Sequence, residues 1–353
     1  MPCPGRWLLF LCLVVCAPPL TSCGALVASA PPVAPSPAPL LPTPAPSPLP
    51  ALRVVFTERD AGNVMLWVAY GLGLFRQHGL EVTLTQEPDR AALDELVAGQ
   101  TDVVVGNGAS ALVAAAGGAD VRFVAGLLNS FPYRLLVDPA VETPADLRGG
   151  RLGVGRPGSA SEVATRLALR ELELEPGKDV QLLQVSAAQE RQAALENGAI
   201  LGAAVVPPET VFLERLDFHS LLDFGPVGAE GPARQVVVAA RLLQERPTLV
   251  QRFVDTLVEA TALAKRDPAV ARRVLAEYLH VSDDAALDDT YDLFVRQLAP
   301  RAPYPATAGS ISRFLPLLAD TDPDTATLDP IRLSDRHFVQ QALDNGLGDQ
   351  PER

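Results

Sequence analysis

Cysteine is scarce in this chain, and three of its four cysteines, Cys3, Cys12 and Cys16, stand near the start. Beyond them only Cys23 remains, so no internal disulfide staples the folded part. Histidine is equally sparse. His78, His219, His280 and His337 are scattered, without the H-x-x-x-H or H-E-x-x-H spacing of a zinc site. No G-x-S-x-G elbow is present, so a hydrolase nucleophile has no signature. Positive charge is short too: 29 Lys and Arg oppose 42 Asp and Glu, a formal net charge of −13. Such a surface repels phosphate, and no nucleic-acid partner is expected. Only Lys178 and Lys265 are lysines. After the first residues, no stretch reaches the roughly 18 apolar residues of a transmembrane helix. No catalytic residue, metal or cofactor is expected.

What is present begins with sorting signals. Arg6 precedes the apolar run WLLFLCLVVC (7–16), too short to span a bilayer and suited to a signal-peptide core. LTSCG (20–24) follows. Small residues ahead of a cysteine, just past such a core, resemble the lipobox of bacterial lipoproteins. That resemblance implies a signal peptide over 1–22, cleavage before Cys23, and a diacylglycerol on its thiol. The plainer reading is an ordinary signal peptide with an incidental cysteine. Lipidation, however, accounts for the odd cysteine. Residues 27–50, VASAPPVAPSPAPLLPTPAPSPLP, carry proline at almost every second position. Such a segment cannot pack a core and favours extended polyproline conformations. At about 3.1 Å per residue it makes a stalk some tens of ångströms long. The lipidated cysteine and stalk together occupy 23–51. A ligand for a proline-binding module is the alternative.

From residue 52 onward, strand-like and helix-like stretches alternate. Strand signals at 52–56, 80–84, 103–105 and 121–125 are separated by helical spacing at 64–78, 90–98 and 109–116. This order indicates parallel strands with helical crossovers. After a strand at 133–137 the pattern repeats. A short helix at 143–147 has Thr143 as N-cap and Pro144 at its first position. Strands at 151–154, 180–185 and 202–206 alternate with helices at 159–172 and 187–196. A Gly/Pro-rich run, 225–232, leads to a return strand at 235–239. The rest reads helical, at 248–265, 268–279, 285–298, 310–318 and 335–343.

Several pieces in this order resemble the periplasmic solute-binding proteins of the nitrate/sulfonate/taurine type, whose members include binders of thiamine-pyrimidine precursors. They are WVAYGLGLF (67–75) with HGLEV (78–82), DVVVGNGA (102–109), PADLRG (144–149), GRPGSA (155–160), and PTLVQRF (247–253) with its long helix. The likeness covers nearly all of 52–345. It implies an α/β, type II-like, two-lobed fold with a helical C-terminal part. One lobe is expected over 52–132 plus 240–345 and the other over 139–234, with hinge strands at 133–138 and 235–239 and a tail at 346–353. It also implies a monomeric, lipid-anchored, extracytoplasmic component of an ABC importer, with a sensory or enzymatic lipoprotein on the same fold as the alternative. The partners would be a small polar or anionic solute, the permease and the ATPase. Some intracellular relatives make the thiamine pyrimidine and carry a cysteine-rich motif, which is missing here.

Ligands of open α/β sheets sit beyond the carboxyl ends of the strands, which singles out four turns. GVGRPG (153–158) is a literal G-x-G-x-x-G, but the strand after it ends in Ser186-Ala187-Ala188, without the acid that a dinucleotide ribose needs. The turn into the next helix still offers donors from Arg156, Gly158, Ser159 and Ala160, as a ligand cradle or as plain capping chemistry. In the loop TERDAGN (57–63), Arg59 can grip an anion or pair with Glu58 or Asp60. Asp60 and Asn63 belong to the same candidate site. Trp67 can stack on a flat ligand or fill the core. Asn107 and Ser110 fit a cleft wall or a capped turn, with Ser130 a further candidate of that kind. Pro207 and Glu209 end a second-lobe strand, where Glu209 can accept from an amino group or complement the helix dipole.

Overall fold

The computed structural model describes residues 48–348, apart from 187, 226–228 and 321. Among the described residues, ten strands form two five-stranded sheets. In chain order they are β1 (Ala51–Phe56), β2 (Glu81–Gln86), β3 (Val103–Gly106), β4 (Val121–Phe131), β5 (Arg134–Val137), β6 (Arg151–Val154), β7 (Gln181–Gln184), β8 (Gly202–Val205), β9 (His219–Asp223) and β10 (Ala229–Ala239). The first sheet runs β2-β1-β3-β10-β4 and the second β7-β6-β8-β5-β9. Strands β1, β2 and β3 are parallel, as are β6, β7 and β8. β10 lies antiparallel to β3 and β4, and β5 antiparallel to β8 and β9.

The sequence explains the central strands directly. VVVG of β3 is buried at every position, as expected where helices cover both faces of a parallel sheet. In β5, Leu135 and Val137 enter one apolar cluster while Leu136 enters another. Successive strand residues face opposite sides, so the second sheet has a small core on each face.

The first sheet carries the larger core. Helix Val64–Gly71 is buried over its first six residues and packs into it. Helix Pro247–Arg266 starts with proline at its first turn and ends with Lys265 and Arg266 in its last, both favourable there. Its Phe253 stacks on Phe75 with centroids 5.0 Å apart. Helix Ala308–Ala319 covers β10, with Phe314 stacked on Phe131 at 5.4 Å.

The chain crosses from the first sheet to the second at Pro132 and Tyr133 and returns after Asp223. The crossings touch, because the Phe224 amide donates to the Tyr133 carbonyl at 3.2 Å. The expected hinge strands therefore differ in position: Arg134–Val137 belongs wholly to the second sheet, and 235–239 to the first. The Gly/Pro-rich run was expected to be a connection, yet β10 already begins at Ala229. Its register against β4 shifts between Glu230 and Arg234, so the glycine and proline there interrupt the ladder without ending the strand. β9 has no counterpart in the sequence reading. It is a largely exposed edge strand with little apolar alternation to signal it. Among the described residues, no helix is long and apolar enough to cross a membrane. The segments 1–22 and 27–47 and Cys23 lie outside the described residues.

Candidate ligand-binding cleft

The turn after β1 is built by its own side chains. Asp60 accepts from the Gly62 amide at 2.9 Å and caps the turn Ala61–Asn63. Asn63, fully buried, donates from Nδ2 to the Glu58 carbonyl at 2.6 Å. This geometry sends neighbouring side chains in opposite directions. Arg59 points to Gln86 Oε1 at 3.1 Å and His280 Nε2 at 3.0 Å, on the first lobe. Glu58 points to the second lobe, where its Oε1 accepts from the Ala160 amide at 3.1 Å.

A second anchor comes from β10. Arg234 is 2% exposed, and its Nη2 donates to Glu58 Oε2 at 2.9 Å and Asp60 Oδ2 at 2.6 Å. Burial opposes the guanidinium charge, yet Asp60 and Glu58 hold its pKa above the ordinary arginine value. Burial raises Asp60 above the usual carboxylate range, against the pull of Arg234. Asp89, which accepts from the Asn107 amide at 3.4 Å, is pushed up to about 6 by burial and then by Glu58. Tyr133, at the crossing, is held well above its ordinary value by burial and by Asp60 and Glu58.

The turn after β3 faces the turn after β6. Asn107 caps helix Gly108–Ala116 through Oδ1, which accepts from Ala109 N at 3.1 Å. Its Nδ2 donates across to the Gly158 carbonyl at 2.6 Å, and Ser110 Oγ donates to the same oxygen at 3.0 Å. On the other side, Ser159 caps helix Ala160–Glu171, its Oγ accepting from Glu162 N at 3.4 Å. Ser161 Oγ accepts from Gly155 N at 3.1 Å. Glycine is required twice in this turn. Gly158 has a φ of +80°, and a Cβ on Gly155 would lie 2.3 Å from Ser159 Oγ. The two lobes thus meet through Glu58, Asn107 and Ser110 on one side and Gly158 and Ala160 on the other.

At the end of β8, Glu209 opens helix Glu209–Glu214. Its oxygens accept from Arg191 Nη2 at 3.2 and 3.4 Å. Burial raises the Glu209 carboxyl, against Arg191. Arg191 is itself pinned by the Val185 and Ser186 carbonyls, each at 3.2 Å. A cavity of about 220 Å³ opens beside the crossings. Its charged lining is Arg134, Asp223, Asp289 and Asp292, and Pro207 also faces it.

The sequence candidates therefore divide. Asp60, Asn107, Ser110, Gly158, Ser159 and Ala160 converge between the lobes. Arg59 faces away from them. Trp67 is fully buried, stacked on Tyr278 at 4.7 Å with Phe56 edge-on at 6.0 Å, so it packs the core. Ser130 pairs with Glu230 in the β4–β10 ladder, and Arg156 is exposed. Asn63 supports the turn through Glu58. Asp89, Tyr133, Arg191 and Arg234 escaped the sequence reading, and Glu58 entered it only as a pairing partner for Arg59. Arg234 alone had a signal, a charge immediately before the apolar strand QVVVA. Among the described residues, no group of three or more His, Cys, Asp or Glu is arranged to hold a metal ion.

Two α/β lobes, joined by two crossings and facing each other through strand-end turns, define the periplasmic-binding-protein fold. A family model described as "NMT1/THI5 like" matches residues 63–271, more than half of the chain, and the chain belongs to that family. It is similar to the alkanesulfonate-binding protein SsuA from Xanthomonas axonopodis pv. citri, solved bound to MOPS. There the identity is 25%, the match covers 83% of this chain and 97% of that one, and the TM-score is 0.63. The periplasmic aliphatic sulphonate binding protein SsuA from Escherichia coli is 20% identical over 86% and 93% of the two chains, with a TM-score of 0.63. The periplasmic nitrate-binding protein NrtA from Synechocystis PCC 6803 is 15% identical over 84% and 89%, with a TM-score of 0.65. No curated protein matches the sequence.

Proposed function

We propose that this protein is the extracytoplasmic solute-binding component of an ABC importer. It captures a small polar organic solute between its lobes and presents it to a permease, without making or breaking a bond in it. The observation that carries this reading is that Glu58, Asn107 and Ser110 reach across to the turn Gly158–Ala160, with Arg234 and Asp60 gathered behind Glu58. Polar groups from both lobes, gathered beyond the carboxyl ends of the strands, are what such a ligand site requires. Closure of the lobes about their two crossings is the motion that suits it. Family membership and the likeness to the sulfonate- and nitrate-binding proteins support the same reading. A monomer tethered through lipid on Cys23, with the proline-rich stalk as spacer, keeps the loaded form near the permease and raises its effective concentration.

A thermal-shift screen of sulfonates, nitrate, amino acids and pyrimidines tests solute capture. A ligand present at 100 times its dissociation constant adds about 2.7 kcal/mol to stability, visible as a higher melting temperature. No response to any of these, and no small molecule retained from a metabolite extract, would refute the reading. The anchor has its own test: Cys23→Ala should abolish labelling by a fatty-acid analogue and release the protein from the membrane fraction.

A further inference from the structure

The charges in the cleft point to the class of solute. The first amides of a 12-residue helix such as Ala160–Glu171 attract an anion. Here that place is filled by the chain itself, because Glu58 Oε1 accepts from Ala160 N at 3.1 Å. The other oxygen of the same carboxylate accepts from Arg234 Nη2 at 2.9 Å. Arg234 in turn holds Asp60 at 2.6 Å. Asp89 adds a third carboxylate at the same turns, accepting from the Asn107 amide at 3.4 Å, and burial and then Glu58 resist its ionisation. Glu58 and Asp60 thus share one guanidinium with Asp89 nearby, since Arg191 on the facing lobe is committed to Glu209. The neighbouring interlobe cavity is lined by Asp223, Asp289 and Asp292 with Arg134, Asp292 being paired with Arg296 at 2.9 Å. Arg134 is itself held by Glu214 at 2.7 Å and Asp223 at 3.2 Å. An incoming sulfonate or nitrate would add negative charge to this excess and would have to displace Glu58 from the helix.

A second observation concerns unused hydrogen-bonding capacity. Arg234 Nε and Nη1 are buried without a partner, and so is Asn63 Oδ1. Arg234 is 2% exposed and Asn63 fully buried, so these atoms call for a polar group brought to the site.

We propose that the cleft selects a small organic solute bearing a cationic nitrogen, such as an amine, amidine or protonated nitrogen heterocycle, together with a neutral acceptor. Glu58 is the residue that sets this preference: it blocks the helix N-terminus to anions and, with Asp60 and Asp89, attracts the cation. The unused donors of Arg234 meet the acceptor. This inference rests on the solute-binding reading above and specifies its ligand.

The test is calorimetric titration of the full-length protein and of Glu58→Gln and Asp89→Asn. The cationic probes are agmatine, n-butylamine and 4-aminopyridine, and the anionic probes are methanesulfonate and nitrate. The expected result is binding of at least one cationic probe by the wild type and of neither anion. Glu58→Gln and Asp89→Asn should each weaken that probe about tenfold, the effect of losing one charged partner in a shielded site. Glu58→Gln, with the helix N-terminus relieved of its carboxylate, should also gain measurable methanesulfonate binding. Wild-type binding of methanesulfonate or nitrate more tightly than any cationic probe would overturn the charge assignment and leave the solute-binding reading intact. Cation binding unchanged in both variants would overturn the roles of Glu58 and Asp89. No binding of any probe, with nothing retained from a metabolite extract, would overturn the solute-binding reading and this inference with it.

Discussion

Replacing Asp89 with asparagine should stabilise the protein, and only above mildly acidic pH. In the folded chain, burial and then Glu58 push the Asp89 carboxyl from 3.8 up to about 6. Folding therefore favours its protonated form. Below about pH 4 the group is neutral in both folded and unfolded chains, and it costs nothing. As pH rises from about 4 to 6 the unfolded chain ionises first, so stability falls; above about 6 the penalty is complete. A shift of roughly two units corresponds to about 3 kcal/mol at 1.36 kcal/mol per unit. Asp89 keeps partial contact with solvent, which screens the effect to roughly 1–3 kcal/mol. Asparagine has a similar shape and keeps an oxygen for the Asn107 amide, while shedding the charge. Urea unfolding of wild type and Asp89→Asn, ligand-free, at pH 4, 5, 6 and 8 measures this directly. Asp60 and Glu209 are raised as well, so the wild-type slope contains their contributions, and the difference between the two proteins isolates Asp89. The two curves should meet near pH 4 and separate by pH 8. A variant less stable than wild type at pH 8, or a difference that ignores pH, would refute the reasoning.

Arg234→Met should be among the most damaging single changes, because it leaves Glu58 and Asp60 without their shared cation. The expected loss is about 3–5 kcal/mol in denaturant unfolding, partly recovered by adding Glu58→Gln. At Gly108 a Cβ would lie 2.4 Å from the Pro232 carbonyl oxygen and 2.5 Å from Pro232 Cβ. Gly108→Ala should therefore cost about 1–3 kcal/mol and lower the melting temperature. Asp283, held down to about 2 by Arg215 across the lobes and then by the Ala286 amide that it caps, should rise towards the ordinary carboxylate range in Arg215→Ala, as read by NMR.

The sequence by itself determined the α/β alternation, the division into two similar halves, the helical C-terminal part and the strand-end turns. Those features are local. Buried valine runs, helix caps such as Asn107 and Ser159, and the glycines after β6 act over a few residues, so their signals survive in one dimension. Half of the candidate cleft was legible for the same reason, since turn residues announce their turns. The direction of each side chain was not. Arg59 and Glu58 are neighbours in sequence, and only the capped turn at Asp60 decides that the glutamate enters the cleft while the arginine leaves it. Trp67 had an aromatic face suited to stacking, but its helix rotates that face onto Tyr278. Arg234 joins Glu58 across 176 positions, and Gly158 meets Asn107 across 51. The sign of the cleft's charge is a sum over such distant groups, and it exists only once the two sheets bring them together.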